Sequence, residues 1–153
     1  MPTSVRALER QAISGNDVSL DPVLTFLRQI WSVDHALQKM SKHMAANIGL
    51  TGPQRLAMRM IGRHPGVAAG ELAALLHLDP STVTGVLERL RRARMIARES
   101  DPADGRRARL YLTHAGQDLY RRKAGTVEAA VRRALASLPE SDVASASRVL
   151  RAL

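Results

Sequence analysis

Cysteine is absent from this 153-residue chain. Its absence excludes a disulfide framework, a Cys-ligated zinc site and any thiol-based redox sensor. Aromatic residues are scarce: one Trp, two Tyr and one Phe. Packing therefore falls to Leu, Ala, Val, Ile and Met. No apolar run approaches the about 18 residues of a membrane span. Residues 1–20 lack the basic-then-apolar order of a signal peptide, so a cytoplasmic protein with no membrane partner is expected. His35, His43, His64, His77 and His114 form no HExxH motif and no i, i+4 pair, and neither a metal nor another cofactor is expected. No nucleophile, base and orienting residue fall in a recognisable arrangement, and no Gly-rich phosphate loop follows a strand. The chain is not expected to be an enzyme.

What the chain does have is positive charge. The formal net charge is +9, carried by 20 Arg and 3 Lys. The arginine fork suits phosphates and base edges better than a lysine point charge does. A GC-rich genome gives the same bias, so composition alone leaves both explanations open. Position adds more. Between Arg89 and Arg109 lie eight Arg against three acids, Glu99, Asp101 and Asp104.

The length suits one compact domain with helical extensions. Val5–Ile13 is a candidate short helix in a weakly patterned arm. Asp21–Pro22 then reads as helix cap and first helical residue. Leu24, Leu27, Ile30, Trp31, Leu37, Met40 and Met44 recur near helical spacing, which predicts one helix of about 25 residues. Asn47 and Gly49 stop it. A helix that long has spare apolar surface, which suggests a partner. Next, Thr51 and Gln54 form a capping box with Pro53 in the first turn. This second helix is predicted to end near His64, before Pro65–Gly66. Arg55, Arg59 and Arg63 fall at i, i+4 and i+8 on it and are expected to form a solvated face.

AGELAALLHL, residues 69–78, predicts a short helix with Leu72, Leu75 and Leu76 inward. Asp79–Pro80 repeats the cap signature, and a further helix runs to about Ala93. Two short helices joined by a tight turn form a helix-turn-helix. On the later helix Val83, Val86 or Leu87, and Leu90 make the apolar stripe. Ser81, Thr82, Gly85, Arg89 and Arg92 lie on the other side. Small residues come first and arginines follow, an order that lets the helix start approach base edges. Glu88 runs against that reading unless it accepts from cytosine or holds an arginine. MIARES and RLYL then read as two strands around a tip of DPADGRR. Helix-turn-helix plus hairpin is a winged helix. Beyond Thr113 the apolar positions Leu119, Val127, Ala130, Val131, Ala134, Leu135 and Leu138 predict one helix of some 25 residues, broken by Pro139. Val143, Ala146, Leu150 and Leu153 predict a last one. The expected fold is mainly α with a small β-hairpin wing, a winged helix-turn-helix flanked by long helices. Two copies packed together would bury what one leaves open.

ELAALLHLDPSTVTGVLERL, MIAR and DPADGRRARLYLTHAG together resemble the MarR family of winged-helix transcription regulators. Asp101, Pro102, Asp104, Arg106, Leu112, Thr113 and Gly116 carry the most specific part of the likeness. The resemblance implies a homodimeric repressor on a pseudo-palindromic double-stranded operator, released by a small effector. It implies an arm and dimerisation helix over 1–49, a DNA-binding domain over 50–113 and C-terminal dimerisation helices over 114–153. The recognition helix would present Ser81, Thr82, Thr84, Gly85 and Arg89 to the major groove. The wing would present Arg106 and Arg107 to the minor groove, with Asp104 orienting Arg106. For a small, often aromatic effector, the likeness suggests Trp31, His35, Met44, Arg55 and Met58 as lining; the alternative for Trp31 and the methionines is interface core. Two positions depart from the family pattern. Arg94 stands where a helix-ending glycine is usual, and Gly105 where a second basic residue is common. A winged helix used only for protein–protein contact is the alternative function.

Overall fold

The computed structural model describes residues 21–153; the candidate helix at Val5–Ile13 lies outside them. Among the described residues seven helices and three strands follow in order: α1 (Pro22–Ile48), α2 (Gly52–Arg63), β1 (Val67–Ala68), α3 (Ala69–Leu76), α4 (Pro80–Arg92), β2 (Ile96–Ser100), β3 (Ala108–Leu112), α5 (His114–Arg121), α6 (Val127–Leu135) and α7 (Glu140–Arg151). The chain divides into two units, one ending at His35 and the other running Ala36–Leu153. The described part of the first is the opening half of α1. There Val23, Leu24, Leu27, Trp31 and Val33 are exposed, Trp31 at 68%.

The second unit holds the core. Leu50, Ala57, Met58, Ile61, Val67, Leu72, Ala73, Val83, Val86, Leu90, Ile96 and Leu110 form one buried cluster. The residues come from α2, α3, α4 and the sheet, with Leu50 from the link before α2. Each helix therefore needs its neighbours to remove its apolar stripe from water. At the start of α2, Gln54 Oε1 accepts the Thr51 N–H at 2.8 Å, as the capping signature predicted.

The sheet has the order β1-β3-β2 and is antiparallel throughout. Ile96 faces Leu112 and Ser100 faces Ala108 across the hairpin. The two-residue strand β1, opposite Leu110 and Arg109, was not anticipated. Two residues are too few to show a period.

The expected single helix after Thr113 is two. α5 ends at Arg121 and α6 begins at Val127. Gly125 between them takes φ 72°, and Thr126 caps α6 by accepting the Ala129 N–H at 3.3 Å. α5 closes on Arg122 in extended backbone, and the left-handed Gly125 then turns the chain into the threonine cap that opens α6. The apolar period runs through the break and conceals it. Neither α6 nor α7 contributes a fully buried residue, and Leu135, Leu138, Leu150 and Leu153 stay exposed. Among the described residues no helix is long and apolar enough to cross a membrane.

Candidate nucleic-acid interface

α3 and α4 form the helix-turn-helix. α3 closes at His77, whose φ of 51° is left-handed. The Leu78 N–H donates to Ala73 O at 3.1 Å and the His77 N–H to Ala74 O at 3.2 Å. α4 closes the same way at Arg94, with φ 55°. There the Met95 N–H donates to Leu90 O and the Arg94 N–H to Arg91 O, both at 2.9 Å. These are Schellman closures, normally built on glycine. Each helix thus stops as glycine would make it stop, with a side chain carried in a strained backbone. Arg94 therefore keeps the glycine-type ending. At the other end of α4, Asp79 holds the N-cap position with extended backbone, but its carboxylate makes no cap hydrogen bond. The sequence signature located the helix start without supplying the bond.

Val83, Val86 and Leu90 turn α4 into the core. Ser81, Thr82, Thr84 and Arg89 are exposed on it, and a Cβ on Gly85 would meet nothing within 4 Å. The Thr84 hydroxyl donates to Pro80 O at 2.8 Å, so only its lone pairs and methyl face outward. Arg89 has no side-chain partner among the described residues. Glu88 pairs with Arg91 and Arg92, each at 3.0 Å. Their hydrogen bonds, Arg91 first, hold the Glu88 carboxyl below its ordinary range.

The wing tip is closed by carboxylates. Asp101 Oδ1 accepts the Ala103 N–H at 2.9 Å, and Asp104 Oδ1 accepts the Arg106 N–H at 3.1 Å. Asp104 therefore engages Arg106 through its main chain. The side-chain pair in the wing is instead Asp101 with Arg109: Nη2 lies 3.1 Å from Oδ1 and Nε 3.0 Å from Oδ2. That pairing, helped by the Ala103 N–H, lowers the Asp101 carboxyl from its ordinary value. Arg106 and Arg107 are left exposed at the tip, their guanidinium groups without a hydrogen bond or ion-pair contact among the described residues, although the Arg107 charge is felt at Asp101. A hairpin whose two strands run antiparallel folds Asp101 back beside Arg109, a proximity that spacing along one strand does not reveal.

Thr113 and Gly116 tie the wing to the body. Thr113 Oγ1 donates to Arg94 O at 2.7 Å and accepts the Gly116 N–H at 3.1 Å. A Cβ on Gly116 would collide with the Met95 carbonyl oxygen. The Leu-Thr-x-x-Gly pattern is thus a close backbone crossing that only glycine permits.

The arginine stripe on α2 is not a solvated face. Arg55 is 2% exposed. Its Nε donates to Glu128 Oε1 at 2.7 Å, Nη2 to Arg122 O at 2.6 Å, and Nη1 to Leu119 O. Arg59 donates to Tyr120 O at 3.1 Å and lies 4.4 Å from the Tyr120 ring centroid. Arg63 alone of the three is exposed. The two buried-side arginines satisfy the carbonyls that α5 leaves open at its end. Partial burial of Glu128 is the largest single influence and opposes its ionisation, but the Arg55 hydrogen bond, a backbone hydrogen bond and the charges of Arg55 and Arg59 together outweigh it and leave the carboxyl below its ordinary value. Of the other effector-lining candidates, Met44 is buried, Met58 lies in the core cluster, and Trp31 and His35 are exposed.

Residues 48–107 match the MarR family profile. The "HTH-type transcriptional repressor Rv2887" of Mycobacterium tuberculosis is 33% identical over 106 residues, 69% of this chain and 76% of its own length. Two solved structures share the fold. The Staphylococcus aureus MepR–DNA complex superposes with a TM-score of 0.72 at 19% identity, over 82% of this chain and 93% of that one. The PcaV regulator of Streptomyces coelicolor with its natural ligand gives 0.68 at 24% identity, over 90% and 94%.

Proposed function

The chain belongs to the MarR family of winged-helix transcription regulators, and from that premise we propose that it is a homodimeric, cytoplasmic repressor. It binds a pseudo-palindromic double-stranded operator and leaves it when a small aromatic effector binds. The observation that carries DNA binding is the pattern of free and paired cations. Ser81, Thr82, Thr84, Gly85 and Arg89 lie open on α4, and Arg106 and Arg107 stand free on a tip held closed by Asp101 and Asp104. The helix start admits base edges, and the free arginines meet phosphates and the minor groove. Segment 50–113 is proposed as the DNA-binding domain, with 1–49 and 114–153 as dimerisation regions. The exposed apolar faces of α1 and α7 support that assignment.

The mycobacterial relative's name supports repression. The ligand in the PcaV structure supports an effector. Effector contact is assigned to Trp31 and His35, the exposed members of the candidate set. Met44, Arg55 and Met58, being buried, are assigned a response by repacking.

The test is fluorescence anisotropy with the DNA upstream of the gene, across several salt concentrations. Log affinity should fall steeply with log salt. Arg106→Ala should weaken binding, and Thr82→Ala or Arg89→Ala should alter sequence preference. An Arg106→Ala protein as tight as wild type at every salt would remove the wing from the interface. Complete failure to bind would favour a protein–protein module. A thermal-shift screen of small aromatic acids, followed by DNA release, tests the effector.

A further inference from the structure

On α4, Glu88 stands opposite the buried stripe. It lies two residues from both Val86 and Leu90, and two steps at about 100° each place it across the helix from them. Thr84, Glu88 and Arg92 form one i, i+4, i+8 row on the outward side. An acid there would meet a polyanion. Glu88 does not stand alone, however. Its Oε1 accepts from Arg91 Nη2 and Arg92 Nε, both at 3.0 Å, and its Oε2 accepts from Arg91 Nε at 3.1 Å. The glutamate side chain is 39% exposed and its partners more so, so the cluster lies open to solvent. One carboxylate occupies two guanidinium groups, and the trio carries a net +1 where two free arginines would carry +2.

The wing repeats this division of labour. Asp101 holds Arg109 while Arg106 and Arg107 stay free. On α4, Glu88 holds Arg91 and Arg92 while Arg89 stays free. Both surfaces proposed to face DNA thus hold cations in internal pairs beside cations left available.

We propose that Glu88 is a positioning residue that masks Arg91 and Arg92, withholding two cations from the phosphates of duplex DNA of arbitrary sequence. This rests on the DNA-binding function proposed above and deepens it. Affinity for arbitrary sequence comes almost wholly from phosphate neutralisation, each contact adding about 0.9 to the slope of log K against log salt. Exposed ion pairs within a helix are weak, so the mask lowers phosphate contact without rigidly forbidding it. Glu88 thereby limits how long the protein dwells on the excess of non-operator DNA.

The experiment is anisotropy with a mixed-sequence duplex over a salt series. Glu88→Gln should bind roughly three- to tenfold tighter near 0.1 M salt, with a slope steeper by roughly 1–2. Glu88→Asp, which keeps the charge, should stay nearer wild type. Glu140→Gln removes the same charge from α7 and should move the slope little. Adding Arg91→Ala and Arg92→Ala should reverse the gain in the Glu88→Gln background, with a smaller effect in wild type. An unchanged slope in Glu88→Gln overturns the mask, as does an equal rise in Glu140→Gln. Equal losses from the arginine changes in both backgrounds overturn it too. A wild type without binding at the lowest salt sinks the regulator function and the mask together. A wild type that binds, weakens on Arg106→Ala and is indifferent to Glu88→Gln sinks the mask alone.

Discussion

The winged centre and its flanking helices are built on opposite terms. The centre buries Leu72, Val83, Leu90, Ile96 and Leu110 against one another within a single chain. α6 and α7 bury no residue fully, and the exposed half of α1 carries Val23, Leu24, Leu27 and Trp31. Contiguous exposed apolar faces mark a surface meant for a partner. One region is complete alone, and the other has the composition of half a core.

Cutting into the centre gives the largest expected effect. Leu90→Ala removes a fully buried side chain and should cost about 2–5 kcal/mol in urea unfolding. Leu150→Asp, on α7, should leave the centre folded. If it costs as much monomer stability as Leu90→Ala, the distinction between the regions collapses.

Arg55→Met attacks the seam that ends α5. It strips Glu128 and two chain carbonyls of their donor and should cost about 2–3 kcal/mol, less than a fully buried pair because Glu128 is a third exposed. The same pair sets a pH dependence. The Glu128 carboxyl is lowered in the folded state. Its contribution is therefore complete above the unfolded glutamate value of about 4.3 and is lost as pH falls through the lower folded value. Thermal melts of wild type should lose stability over that acid range, and Glu128→Gln should flatten that part of the profile.

At the flanks, Leu27→Asp or Leu150→Asp should raise the dissociation constant of the proposed dimer at least tenfold, about 1.4 kcal/mol, read by sedimentation. The smallest expected change sharpens the picture of the centre itself. Arg94→Gly and His77→Gly relieve left-handed backbones and should each raise stability by about 0.5–1 kcal/mol.

Legibility in the sequence followed locality. Helix starts at Pro22, Gly52 and Pro80 were readable because caps and prolines sit within a turn of them. The hairpin was readable because Asp-Pro and Asp-Gly punctuate it. The break between Arg121 and Val127 was lost because the apolar period continues across it. Arg55 was misplaced because its burial depends on Glu128, 73 residues away. Arg109 was missed because its partner comes from the other side of a turn. Among the residues proposed to face DNA, type and exposure followed from helical phase, but which arginines are free depends on where neighbouring carboxylates reach.

The scarcity of aromatics has an optical consequence. The only tryptophan, Trp31, lies exposed on α1, while Tyr111 lies in β3 of the winged centre and Tyr120 on α5, over Arg59 of α2. Tryptophan emission should therefore report on the flank, shifting to the blue if the proposed second copy covers it. Tyrosine signals should report on the centre and its seam with α5, where Tyr120 sits between Arg59 and the closely approaching Gly62. Without any label, one unmodified protein offers two colours for two regions.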